Sequence, residues 1–338
     1  MNWFGLALFA TPLIASAASG DAACAQCHAK ETSHFRETPM AQALDTVADC
    51  AILKAHPDLR FREGRYESRI VRKGESSILT VTQGNDSLSV PILWAFGRGR
   101  AGQTYVFQYG GNYYESRVSF YEALGALDLT MGAMNRTPQD ITEAAGRRMD
   151  ALGTRECFAC HSNGGVAQGK LHFEGLVAGV GCQSCHGQAE KHVEAMRSGD
   201  AAAAMMNHLA GLTADETSEL CGKCHRTWSQ IAVSGPRGVN NVRFQPYRLA
   251  NSKCFDPADP RIRCTACHDP HGALETNLAS YDVKCGSCHS AAQHTKVCKV
   301  ATKNCAGCHM PKVELPGAHA QFTDHQIRIV RAGAPYPN

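Results

Sequence analysis

Cys182-Gln183-Ser184-Cys185-His186 is one of seven copies of Cys-x-x-Cys-His in a chain of 338 residues that holds 17 Cys and 16 His. The others are Cys24-Ala25-Gln26-Cys27-His28, Cys157-Phe158-Ala159-Cys160-His161 and Cys221-Gly222-Lys223-Cys224-His225. Cys264-Thr265-Ala266-Cys267-His268, Cys285-Gly286-Ser287-Cys288-His289 and Cys305-Ala306-Gly307-Cys308-His309 complete the set. At these Cys and His frequencies about 0.04 copies would arise by chance. Two thiols three positions apart suit two thioether bonds to one haem, and the next residue, His, suits its proximal iron ligand. Cys-x-x-Cys pairs also build zinc sites, but four ligands per metal give no use to a His after every second Cys. Seven thioredoxin-like redox motifs would leave the same His unexplained. The pattern therefore implies seven covalently bound haem c groups, with His28, His161, His186, His225, His268, His289 and His309 as proximal ligands.

The compartment agrees with that reading. Residues 3–15 are apolar and precede Ala15-Ser16-Ala17, a small-x-small cleavage pattern, so residues 1–17 read as a signal peptide. The run is short for a membrane span of about 20 residues, and no Lys or Arg precedes it. A periplasmic or extracellular location follows, where covalent haem attachment takes place. The formal charge of +3 gives no reason to expect nucleic acid. Fourteen propionates would make the holoprotein acidic, roughly −4 oxidised and −11 reduced.

Spacing divides the chain. Cys24 stands 133 residues before Cys157, after which motifs recur every 20 to 43 residues. The haem-free interval carries runs rich in Val, Ile, Thr and Tyr at Glu67–Arg72, Ser77–Thr82, Leu88–Leu93, Thr104–Tyr109 and Tyr113–Phe120. Gly and Asn-Asp clusters separate them, which predicts an antiparallel meander. Thr137-Pro138-Gln139-Asp140 predicts a helix capped by Thr137 and running to about Ala151. Thr213-Ala214-Asp215-Glu216 predicts a capping box whose helix delivers Cys221. The segments read as 1–17 leader, 18–60 first haem segment, 61–150 β-rich haem-free region and 151–338 six-haem domain. The fold class is α+β with little regular structure: a β-rich insertion plus a mainly helical and irregular multihaem domain organised around a haem chain. Porphyrin faces would replace much of a side-chain core there, so that half is expected not to fold without haem.

Several strings extend beyond the bare motif: Gly181–Gly187 with His192, Cys267-His268-Asp269-Pro270-His271, Cys308-His309-Met310-Pro311-Lys312 and Phe322-Thr323-Asp324-His325. With the motifs they make the chain resemble the multihaem cytochrome c superfamily. The nearest likeness is to the bis-histidine electron-transfer group related to the tetrahaem cytochrome of ammonia oxidisers and to hydroxylamine oxidoreductase. The resemblance covers 157–330 firmly and 24–44 loosely. It implies distal ligands among the nine remaining His: His192, His271 and His325 first, then His294 and His319, then His56, His172 and His208, with His34 last. Related proteins carry Ser/Thr-x-His after the first motif, where this chain has Thr38-Pro39-Met40. Met40 either packs or ligates, giving one His/Met haem of raised potential.

Two strong axial ligands close the iron to substrate, so the supply of His points to electron transfer between a redox donor and an acceptor. A multihaem oxidoreductase with one open haem, acting on a small nitrogen or sulfur compound, is the alternative, and no Cys-x-x-Cys-Lys variant is present to mark a catalytic haem. A third reading is a conductor that self-associates into filaments. A membrane enters only through a partner. Cys50, Cys254 and Cys298 lie outside the motifs, and Cys254 with Cys298 is the favoured disulfide. Arg98, Arg100 and Arg117 are candidates to pair with propionates.

Overall fold

The computed structural model describes residues 21–187, 189–200, 206, 209–234, 237–289 and 298–337. The expected leader 1–17, His208 and His294 lie outside the described residues.

One sheet organises the first part of the chain. Its strands are β1 (Leu44–Thr46), β2 (Asp58–Glu63), β3 (Tyr66–Lys73), β4 (Ser76–Gln83), β5 (Asp86–Gly99), β6 (Gly102–Tyr109), β7 (Asn112–Tyr121), β8 (Ala126–Leu129) and β9 (Gly146–Arg148). β2 to β8 follow one another as antiparallel neighbours, while β1 pairs with β5 and β9 with β7. The hairpins are tight because the turns between β3 and β4 and between β4 and β5 open on Gly74 and Gly84, at φ of +60° and +58°, a conformation that hairpin turns demand and L side chains resist. Register shifts at Trp94 and Phe96–Gly99 on β5 and at Thr104–Val106 on β6 bend the sheet. Its two ends, β2 and β8, come into contact, and Arg117 of β7 grips Glu63 of β2 through two bonds of 2.6 Å. The sheet is thus curled almost to a barrel.

Alternation along the strands fills it. Ile70, Leu79, Val81, Ala95, Tyr105 and Phe107 are at most 1% exposed. Leu53 and Cys50, from the short helix Ala51–Ala55 and its cap, and Ala144 and Ala145, from helix Ile141–Ala145, join the same core. All five expected strands are present. The sheet begins earlier than residue 61, because β1 and the first half of β2 come from the stretch read as a haem segment.

The helix expected from Thr137 is corrected. Asp140, not Thr137, caps a five-residue helix, its carboxylate accepting from Thr142 N and Glu143 N. The chain then turns into β9, where a Cβ on Gly146 would stand 2.4 Å from the Glu115 carbonyl. Glycine weakens the helix there, and pairing with Tyr114–Ser116 takes over. A second helix, Ala151–His161, starts afresh on Asp150.

Beyond residue 150 regular structure is short. Helices Ala151–His161, Gln183–His186, Ala214–His225, Cys264–Cys267, Asp282–His289 and Cys305–His309 each carry a motif or part of one. Thr213 and Glu216 form the expected capping box. The only other apolar cluster recorded among the described residues is small: Val242, Val313, Leu315 and Ala318, under a hairpin of Lys312–Glu314 with Gln321–Thr323. Among the described residues no helix is long and apolar enough to cross a membrane.

Candidate haem centres

Each motif is wound into about one helical turn. The amide of His28 bonds Cys24 O at 2.8 Å, that of His186 bonds Cys182 O at 3.0 Å, and that of His268 bonds Cys264 O at 2.9 Å. Positions i, i+3 and i+4 share one helix face, so both thiols and the imidazole are offered on the same side.

Among the described residues, three motif imidazoles face a second imidazole from elsewhere in the chain. His28 and His192 have ring centroids 6.5 Å apart with planes 26° from parallel. His186 and His271 stand at 6.0 Å and 8°, and His268 and His325 at 6.1 Å and 43°. A metal bound by both rings, about 2 Å from each nitrogen, needs a separation of about 6 Å. The residues present therefore fit an iron between two His, and each pair unites a motif His with a non-motif one. None of these partners serves its nearest motif: His271, three residues after His268, reaches His186 instead.

Hydrogen bonds orient several rings. Nδ1 of His161 lies 2.9 Å from Ala43 O, Nδ1 of His309 lies 2.8 Å from Arg328 O, and Nδ1 of His325 lies 3.0 Å from Thr323 O. A carbonyl can only accept, so Nδ1 carries the proton and Nε2 keeps its lone pair for a metal. Burial favours the same neutral form: it lowers the pKa of His161, His186, His225 and His268 and brings His325 down to about 4. His325 is further anchored through its neighbour. Asp324, wholly buried, takes Arg248 at 2.8 and 2.9 Å and Arg328 at 2.6 Å, while Ser252 Oγ donates to His325 O. This ion-pair cradle was not read from the sequence, although Asp324 stood within the familiar Phe322–His325 string.

The remaining candidates are scattered. His56 lies against Phe120 at 4.7 Å, on the sheet. His34 and His172 are exposed. Met40 is half-buried and its carbonyl accepts from Ala43 N and Val180 N. His319 gives Nε2 to Asp128 Oδ2 at 2.7 Å. Arg117, considered for a propionate, is spent on Glu63 and on Arg136 O. Cys254 and Cys298 are exposed free thiols in the structure and not a disulfide, and Cys50 is buried with its thiol on Gln103 Oε1.

The β region reaches the second motif directly. Phe96 meets the His161 ring edge-on at 5.3 Å, and Phe158, one residue into that motif, packs on Phe96 at 5.2 Å and Trp94 at 5.8 Å. Thiols of different motifs also meet: Cys24 with Cys182, Cys160 with Cys224, Cys221 with Cys264 and Cys285 with Cys305. Cys185 lies near Cys221 and Cys224, and Cys267 near Cys285. Numbered along the chain, the motifs run first, third, fourth, fifth, sixth, seventh in space. The second joins at the fourth.

The chain is similar to several known proteins. The sequence model of the family described as cytochrome c554 and c-prime matches residues 23–63 and 129–187, which hold the first three motifs. The multiheme cytochrome MtrA of Shewanella baltica (strain OS185) is 24% identical over 191 residues, covering 52% of this chain and 49% of the relative. The C-type polyheme cytochrome OmcB of Geobacter sulfurreducens is 21% identical over 209 residues, covering 57% of this chain and 25% of the relative. The chain thus spans about half the length of the first and a quarter of the second. The crystal structure of the outer cell wall cytochrome OcwA matches in fold with a TM-score of 0.53 at 14% identity, over 92% of this chain and 79% of that one. Repeated Cys-x-x-Cys-His motifs, imidazoles paired across iron-sized gaps and these likenesses converge on one class: the chain is a multihaem c-type cytochrome.

Proposed function

We propose that the chain is an exported heptahaem cytochrome that passes electrons along closely packed, mostly bis-histidine haems between a redox donor and an acceptor. The observation that carries this is the set of three His–His pairs at 6.0–6.5 Å. Each covalently held haem supplies an iron that takes up and releases one electron. The protein's own work is to hold it: Cys thioethers fix each group, the motif His binds one side, and His192, His271 and His325 close the other. Carbonyl bonds to Nδ1 set the tautomer. The Arg248–Asp324–Arg328 cradle keeps His325 in place.

The meeting thiols support a path through the first, third, fourth, fifth, sixth and seventh motifs, with a side arm to the second. Residues 1–17 act as the leader, 18–60 hold the first haem, and 151–338 hold six. The β-rich segment shields and orients the second haem rather than carrying one. His56, His172, His208, His294, His319 and Met40 remain the candidates for the distal positions of the other haems. Contact with a membrane runs only through a partner.

Pyridine haemochrome analysis against protein mass tests the count, with seven haems expected and any smaller integer overturning it. Magnetic circular dichroism of the oxidised protein should show mainly bis-imidazole low-spin iron. His271→Ala should convert one haem to high spin, and no change would sink the pairing with His186. A near-infrared charge-transfer band abolished in Met40→Ala would establish Met ligation of the first haem.

A further inference from the structure

Three of the meeting thiol pairs are built alike, first Cys against first Cys: Cys24 with Cys182, Cys221 with Cys264, and Cys285 with Cys305. In each, the residue three positions before the earlier Cys also turns to the later motif. Asp21 Oδ1 accepts from Cys182 N at 2.9 Å. Asp282 accepts from Asn304 N at 2.7 Å through one oxygen and from Cys305 N at 2.8 Å through the other. Ser218 holds the same place in the middle pair and stands against the Cys264 thiol. Asp21–Ala25, Ala214–His225 and Asp282–His289 are helical, and positions three apart share a helix face. Each helix therefore offers this side chain and its first thiol to one neighbour.

The helices that receive these carboxylates are short, Gln183–His186 of four residues and Cys305–His309 of five, and neither is capped by its own N-cap side chain. An Asp from another motif satisfies their leading amides instead. Glycine makes room for one of them: a Cβ on Gly181 would stand 3.0 Å from Asp21 Oδ1 and 2.9 Å from Asn163 Nδ2. The carboxylates also reach the thiols, Asp21 that of Cys182 and Asp282 that of Cys305. Amides of Cys305 and Asn304 hold the Asp282 carboxyl below the usual carboxylate range. With both sulfurs of a pair turned into thioethers, a fixed negative charge lies at the seam between two haems. Reduction adds an electron to each iron, and a nearby anion opposes it at both.

We propose that Asp21 and Asp282 are positioning residues that act as clasps: each carboxylate fixes one haem-attachment helix against another and lowers the potentials of both haems it joins. The clasps rest on the proposed haem path, of which they hold the two ends, motifs one with three and motifs six with seven. The central pair, motifs four and five, has the neutral Ser218 in the same place and escapes the charge. These three residues thus bias electrons toward the middle of the path.

Potentiometric titration of the holoprotein and of its Asp21→Asn and Asp282→Asn variants tests this, with haem content measured for each. Asn keeps an oxygen for the amides and loses the charge. Each variant should raise two midpoint potentials, by about threefold or more in the reduction equilibrium, roughly 28 mV at about 59 mV per tenfold for one electron. Ser218→Ala should move none by that much. Fully loaded Asn variants with unmoved potentials overturn the clasp and leave the electron-transfer reading standing. A shift confined to one haem also overturns it, because a charge at the seam acts on two. So does an equal shift in Ser218→Ala, where no charge is removed. If an Asn variant loses haem, Asp21→Glu or Asp282→Glu decides: full loading supports the clasp, and persistent loss overturns it. A wild type lacking haem at one member of either pair overturns the path on which the clasps rest.

Discussion

The sheet of residues 44–148 and the motif-bearing stretch that follows obtain their interiors from different sources. The sheet closes on side chains: Leu79, Val81, Tyr105 and Phe107 lose all contact with water through strand alternation, and Ala95 does so past the register shift at Trp94. Among the described residues the motif stretch has one cluster of four buried apolar residues, and its helices run to a turn or three. Its order comes from the attachment points: thiols of successive motifs in contact, and imidazoles held 6 Å apart. One chain thus combines a region that carries its own core with one whose core is supplied covalently.

The largest test of this contrast is to make the chain without haem attachment. The sheet region should keep slow amide exchange and a β circular-dichroism signature, while the motif region loses protection throughout. Equal protection in both would remove the distinction. Next, Phe107→Ala should cost the sheet about 3–5 kcal/mol in denaturant unfolding, with the low-spin haem spectrum little changed. Asp324→Ala should act in the opposite place. Leaving Arg248 buried without its carboxylate costs about 3–5 kcal/mol and should free His325, so that one haem turns high-spin. Acid should discriminate too. An unfolded His takes up a proton near pH 6.5, whereas His325 in the fold resists until about pH 4. The unfolded state therefore binds more protons in that window, and stability of the motif region should fall as pH drops from about 6.5 to 4, detected as loss of low-spin signal. The smallest effect is expected from Thr213→Ala, which removes a capping box and should cost about 1 kcal/mol in the motif region alone.

Sequence reading reached unevenly into the two regions. Alternation and glycine-led turns exposed five strands, yet β2, with its run Asp58-Leu59-Arg60-Phe61-Arg62-Glu63, hid because its outward residues are charged and its inward ones few. β9 hid behind a plausible helix start, since the pull of β7 on Gly146 is a long-range pairing. The motifs were legible outright because covalent chemistry fixes their spacing. Their partners were legible as a pool of His, not as pairs: the assignment of His271 to His186 and of His192 to His28 depends on folding.

The three proposed iron pairs share one direction. His192 follows His28 by 164 positions, His271 follows His186 by 85, and His325 follows His268 by 57. In each, the first ligand sits beside the thioethers and the second arrives later in the chain. If haem is attached as the chain emerges from its N-terminus, each of these irons is half-ligated for a time, and the interval is longest at the first. Attachment in that order would make maturation a problem of timing as much as of geometry, with centres made early and sealed late.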